Sequence, residues 1–190
     1  MKIRNGFVSN SSSSSFIIAL DKRLNSRDDV LHTFFSNRDM VTCEYYDGVD
    51  TNSAADLIWE QIKDATPATK MEIYNCVRGG YFDGYPERNW NQKEKYVEFE
   101  EEYRRKYGHD IRDDKADKNE YKKWSNLLNE TWKREADIID IAAKKYTDSL
   151  IKQYKDKNFY ILVFGDENGQ GVLEHGDTFD SVNHVRISNH

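Results

Sequence analysis

The apolar positions of this chain keep a strand-like rhythm near both ends and a helical rhythm between them. Phe16-Ile17-Ile18-Ala19-Leu20 is an unbroken apolar run with the length and β-branched content of a buried strand. Phe159 to Phe164 is apolar on both faces and reads as a central strand, the natural neighbour of that first run. Beyond it, Asp166-Glu167-Asn168-Gly169 is a hairpin turn leading to a short strand at Gly171 to Glu174. His184 to Ser188, with Val185 and Ile187 alternating, forms the last strand.

Between these ends the period changes to that of a helix. Ser26 stands three before Asp29, as in a capping box, ahead of Val30, Leu31, Phe34 and Phe35 on one face, with Asn37 as the end. Met40 to Tyr46 alternates as a strand, and Asp47-Gly48 turns the chain. Ser53 caps a helix with the apolar face Ala54, Leu57, Ile58 and Ile62. Thr66-Pro67 is a cap followed by proline at the first helical position. That helix runs through Met71, Tyr74 and Val77 to Gly79-Gly80, where a left-handed residue costs little.

From Trp90 to Lys157 there is no proline and a single glycine, Gly108. Tyr96, Phe99, Tyr103 and Tyr107 repeat at helical spacing up to it. Asp117 then caps a second helix carrying Tyr121, Trp124, Leu128, Trp132, Ile139, Ala142, Tyr146 and Leu150. Gly108 to Ala116 is a short polar connection, so the two helices pack antiparallel as an αα-hairpin. A helix over 118–155 is roughly 57 Å long, against about 40 Å for a compact chain of this length. It therefore breaks near Asn126 to Asn129 or projects as an arm whose aromatic stripe must be covered. Together these elements predict an α+β fold in one domain, 1–190. A small central β-sheet is formed by N-terminal and C-terminal strands, and the helical hairpin is an insertion at 90–157.

Composition adds three constraints. Charged residues make up 33% of the chain, but 13% aromatics oppose disorder. Cys43 and Cys76 lie far apart in no metal-type spacing and read as reduced thiols. No apolar run reaches the ~18 residues of a spanning helix, and Lys2 and Arg4 are followed by no apolar stretch of the kind a secretory signal needs. A cytoplasmic protein that does not engage a membrane is expected. The net charge of −6 gives no general attraction to nucleic acid.

Two stretches carry candidate chemistry. The first is Ser9, Asn10, Ser11, Ser12, Ser13, Ser14 and Ser15, with Arg4 close in sequence. It reads as a solvated loop, as a row of hydroxyl acceptors for covalent modification, or as a nest of amides and hydroxyls around an anion or nucleotide. The Gly-x-x-x-x-Gly-Lys-Ser pattern of nucleotide-hydrolysing loops is absent. The second is Glu174, His175, Asp177, His184 and His190. Imidazole and carboxylate together suit a divalent transition metal such as zinc, iron or manganese, and His184 and His190, six apart, face one side of an extended strand. The spacing is not that of His-Glu-x-x-His, and the same residues also read as ordinary turn and surface positions.

The string Arg4-Asn5-Gly6-Phe7-Val8-Ser9-Asn10, Ser11 to Ser15, Phe16 resembles the N-terminus of a scattered group of uncharacterised short proteins from tailed phages and bacteria. These open with Gly-Phe-Val-Ser-Asn-Ser-Ser-Ser-Ser-Ser-Phe, and some also close on a His-rich segment like Glu174 to His190. The N-terminal likeness covers under a tenth of the chain and implies a provenance, a phage-type protein acting inside a bacterial cell, rather than a chemistry. Three functions are then expected in competition. One is a non-catalytic binding protein that meets a protein partner, or a second copy as a homo-oligomer, through the helical hairpin. Another is a metal-dependent, phosphoesterase-like hydrolase built on the C-terminal His/Glu/Asp cluster. The last is a nucleotide or small-anion binder at the Ser-rich loop. The acidic balance, the aromatic-striped helices and the lack of a known catalytic motif favour the first.

Overall fold

A computed structural model describes residues 13–36, 38–44, 47–87, 93–165 and 170–189. In chain order the elements are β1 (Ser13–Leu20), α1 (Arg27–Phe35), β2 (Met40–Val41), β3 (Val49–Asp50), α2 (Thr51–Ile62), α3 (Lys70–Arg78), α4 (Lys95–Tyr107), α5 (Lys118–Gln153), β4 (Asn158–Gly165), α6 (Gly171–His175) and β5 (Asn183–Ser188). The fold is α+β, and its main sheet is antiparallel with the order β4-β1-β5. The two ends of the sequence therefore meet in one sheet, as their apolar runs predict. The central strand is β1, however, and β4 lies at an edge, contrary to the expectation from its two apolar faces.

Antiparallel register decides which side chains share a face. Phe16, Ile18 and Leu20 align with Leu162, Tyr160 and Asn158 on one side and, for the first two, with Arg186 and His184 on the other. On this face the sheet joins Val30, Phe34 and Phe35 of α1, Ala54, Ile58 and Ile62 of α2, and Leu173 of α6 in one buried cluster. Full burial of each such large side chain is worth about 1.5–3 kcal/mol. Phe179 sits at its centre, with its ring 4.5 Å from that of Phe16 and 5.8 Å from that of Phe34. The opposite face carries Ile17, Phe159 and Ile187. There α3 brings the Cys76 thiol to Ser15, and Tyr154, just beyond α5, places its ring 6.5 Å from Phe159. Lys70 of α3 and Asp148 of α5 are paired at 2.5 Å.

Local chemistry explains where the helices start, and it corrects two expected caps. Ser26 caps α1, accepting from Asp29 N at 3.1 Å, as expected. The cap of α2 is Asp50 rather than Ser53: its carboxylate accepts from Ser53 N at 3.0 Å and from Ser53 Oγ at 2.6 Å. The two carboxylate oxygens of Asp50 each take one of these donors. The cap of α3 is Thr69 rather than Thr66. Thr69 and Glu72 form a reciprocal capping box, while the upstream Ala68 N–H is committed to Phe159 O at 2.7 Å. The strand expected over Met40–Tyr46 is confined to Met40–Val41, with Tyr45 and Tyr46 outside the described residues. Gly171–Glu174 is a single helical turn rather than a strand.

Gly79 ends α3 with a right-handed backbone, not the expected left-handed one. Gly80 answers a different need: a Cβ there would lie 2.6 Å from Ser188 O, because residues 80–81 run hard against β5. Tyr81 and Ser188 exchange two backbone hydrogen bonds, Tyr81 N to Ser188 O at 2.6 Å and Ser188 N to Tyr81 O at 2.9 Å.

The chain forms two compact units, Met1–Asp83 with Ala143–His190, and Gly84–Ala142. The second is the helical hairpin. Partners in α4 and the residue before it descend α5 as the sequence of α4 ascends: Glu94 meets Arg134, Glu100 meets Trp124 Nε1 at 2.9 Å, and Tyr103 OH meets Asp117 N at 3.4 Å. That order is antiparallel. Gly108, at φ 73°, ends α4 in the left-handed conformation that favours glycine. The connection is not merely polar, because Ile111 is buried with Tyr103 and Trp124, and Tyr96, Phe99 and Leu128 pack around them. Asp110 ties the turn, accepting from Arg112 Nε at 2.9 Å and Arg104 Nη2 at 2.8 Å, which holds its carboxyl well below the usual range. No break occurs near Asn126–Asn129: α5 is one helix of 36 residues.

Candidate functional site

The serines that stand out in the sequence do not all form a loop. Ser13, Ser14 and Ser15 open β1, so their side chains alternate between the two faces of the sheet. Ser14 faces the α6 side and is fully buried. Its hydroxyl donates to Glu174 Oε1 at 2.8 Å and accepts from Arg186 Nε at 2.8 Å. Arg186 Nη2 also reaches Glu174 Oε1 at 3.3 Å, and the guanidinium carbon lies 5.9 Å from the centre of the Phe16 ring. The Glu174 carboxylate has no exposed surface, and His175 Nε2 stands 3.7 Å from its Oε2. A buried carboxylate needs a cation and hydrogen-bond donors. Here a strand from each end of the chain supplies them.

Ser15 faces the α3 side. Its Oγ accepts from Asn189 Nδ2 at 3.2 Å, and Asn189 N donates to Ser13 O at 3.0 Å. Burial pushes the Cys76 thiol up to about 11, only partly offset by its hydrogen bond with Ser15. Such a thiol carries little thiolate near neutral pH and is a packing group rather than a nucleophile. Of the proposed anion-binding or modification residues, Ser14 and Ser15 are thus buried and engaged, and Ser13 is half-buried. Arg4, Ser9, Asn10, Ser11 and Ser12 lie outside the described residues.

The C-terminal candidates are drawn to separate partners. Glu174 belongs to the Ser14–Arg186 cluster. Asp177 is paired with Arg38 Nη1 at 2.6 Å, while Arg38 Nη2 donates to the carbonyls of Asp177 at 2.7 Å and Thr178 at 3.1 Å. His184 lies with its ring centre 5.8 Å from that of Phe179, and its Nδ1 is 3.2 Å from Val182 O. His190 lies outside the described residues. Among the described residues no group of three or more His, Cys, Asp or Glu side chains is placed to hold a metal ion. Nearness in sequence fails here because the turn after α6 sends Asp177 toward Arg38 while β5 carries His184 back along β1.

Arg186 and Arg38 were not among the sequence candidates. A signal for the first existed: Glu174 follows Gly171-Val172-Leu173, and a carboxylate in an apolar stretch requires a cation from elsewhere.

The hairpin offers a different kind of site. Tyr121 and Trp132, eleven residues and about three turns apart, share one face of α5, while Ile138 and Ile141 share another. All are solvent-exposed, Trp132 at 58% and Ile141 at 67%. Tryptophan is among the side chains most enriched at binding hot spots. No helix among the described residues is long and apolar enough to cross a membrane. No protein-family model, no curated protein and no solved structure matches this chain.

Proposed function

We propose that this chain is a non-catalytic binding protein whose contact surface is the α4–α5 hairpin, engaging another protein or a second copy of itself. The observation that carries this reading is the exposure of Trp132, with Ile138 and Ile141 further along the same helix. None of the three belongs to the described hairpin core of Tyr103, Ile111 and Trp124. Burying Trp132, or the Ile138–Ile141 pair on the other face, at an interface removes apolar surface worth a few kcal/mol, at about 25 cal/mol per Å². The likeness of the Arg4–Phe16 string to phage and bacterial proteins supports a bacterial cytoplasm, during infection, as the setting.

The test uses the full chain. Light scattering after size exclusion, and capture from bacterial lysate, compare it with Trp132→Ala and Ile141→Asp. A dimer or a specific partner present for the wild type and lost in either variant, with unchanged circular dichroism, supports the reading, and the variant that loses it names the face of α5 that makes the contact. A monomer that captures nothing, or a partner retained equally by both variants, overturns it.

A further inference from the structure

The two edges of the main sheet are finished differently. Residues of β1 alternate in the strand they bond, and the bonds at its neighbours' outer edges fix the parity. On β4 the outward groups belong to Phe159, Ile161 and Val163. The Gln61 side chain takes both groups of Val163, donating to its O at 3.0 Å and accepting from its N at 2.9 Å, and Ala68 N takes Phe159 O. On β5 the outward residues are His184, Arg186 and Ser188, since Ser188 bonds Tyr81 while Asn189 bonds Ser13. Among the described residues nothing takes the backbone N–H or C=O of Arg186 or His184.

Tyr81 forms an isolated antiparallel bridge with Ser188, and Asp83-Gly84 make a turn, where Gly84 has φ 82°. Among the described residues, the strand position opposite Arg186 and His184 is thus started at Tyr81 and not continued. We infer that this edge accepts an extended segment of a partner protein by β-augmentation, with acidic residues opposite Arg186 and His184 and an apolar residue between them.

Chemistry sets that pattern. Side chains directly opposite in a ladder share a face, so two guest residues meet the nitrogen donors of Arg186 and the His184 ring, and the intervening one lies on the other face beside half-buried Val185. Arg186 uses Nε and Nη2 on Ser14 and Glu174, while among the described residues no bond joins its Nη1, and its side chain is 38% exposed. A second copy pairing through the same edge would set Arg186 opposite His184 of its twin, which offers the guanidinium no carboxylate, whereas an acidic guest residue does. In such recognition main-chain bonds supply affinity and alternate side chains supply specificity.

The experiment titrates the full-length protein, followed by amide NMR, with an eight-residue peptide of alternating glutamate and valine. Its controls are the same peptide with lysine for glutamate, and with N-methyl groups on the amides that would face β5. The expected result is shifts and slowed exchange at the His184 and Arg186 amides, at least about tenfold weaker binding after N-methylation, and no binding of the lysine peptide. His184→Pro removes one outward N–H at a position where an edge strand tolerates proline, and where folded it should weaken binding similarly. The inference is overturned by absent shifts at these two amides, by equal binding of the N-methylated or lysine peptide, or by protein-concentration-dependent shifts there without peptide, which would identify a second copy as the occupant. None of these results bears on Trp132, so this surface and the hairpin surface stand or fall separately.

Discussion

Glu174 shows how one side chain can organise two ends of a chain. Its carboxylate is buried against the Ser14 hydroxyl and the Arg186 guanidinium, 160 and 12 residues away in sequence, with His175 Nε2 at 3.7 Å. Arg186→Met would leave the buried carboxylate in place without the guanidinium. The expected cost is about 3 kcal/mol, read as a lower urea midpoint, and the double variant Glu174→Met/Arg186→Met should recover most of it. Cys76 makes the opposite prediction in pH. Its folded-state value of about 11 lies above the ordinary 9.0, so between these values the folded chain keeps a proton that the unfolded chain has released. Stability therefore falls as pH rises through that window. Urea unfolding from about pH 8 upward should show a steeper alkaline loss for the wild type than for Cys76→Ala.

At the scale of elements, edges and caps carry the argument. An exposed strand edge is a template for unwanted pairing, and β4 is shielded by the amide of Gln61 lying against Val163. Gln61→Ala should cost about 1 kcal/mol in thermal melts and should raise the concentration-dependent aggregate in size exclusion. The element expectations that failed have local causes. Ser53 loses the cap to Asp50 because the carboxylate takes both its N–H and its Oγ–H. Thr66 loses to Thr69 because Glu72 completes the reciprocal box. Gly171–His175 becomes a helical turn in which Val172, Leu173 and Glu174 are all buried, so no exposed alternate face remains for a strand to present.

At the scale of the molecule, each compact unit has its own buried residues: the sheet with α1, α2 and α6, and separately Tyr103, Ile111 and Trp124 of the hairpin. Trp124→Ala should cost the hairpin about 3–4 kcal/mol through lost packing and the lost bond to Glu100. Hydrogen exchange should quicken across the α4 amides far more than across β1, and equal quickening in both would contradict separate cores.

Residue patterning alone determined the fold class, the pairing of the terminal strands, and the antiparallel helices closed by Gly108. Periodicity and turn chemistry are local properties that a chain carries with it. Only the tertiary structure decided that β4 lies at an edge rather than in the middle of the sheet, that Ser14 and Ser15 belong to a buried network instead of a loop, and that Asp177 and His184 part company from Glu174. Those outcomes depend on which distant groups arrive to satisfy a buried charge or an open edge. Order along the chain does not encode that, because burial couples residues by position in space.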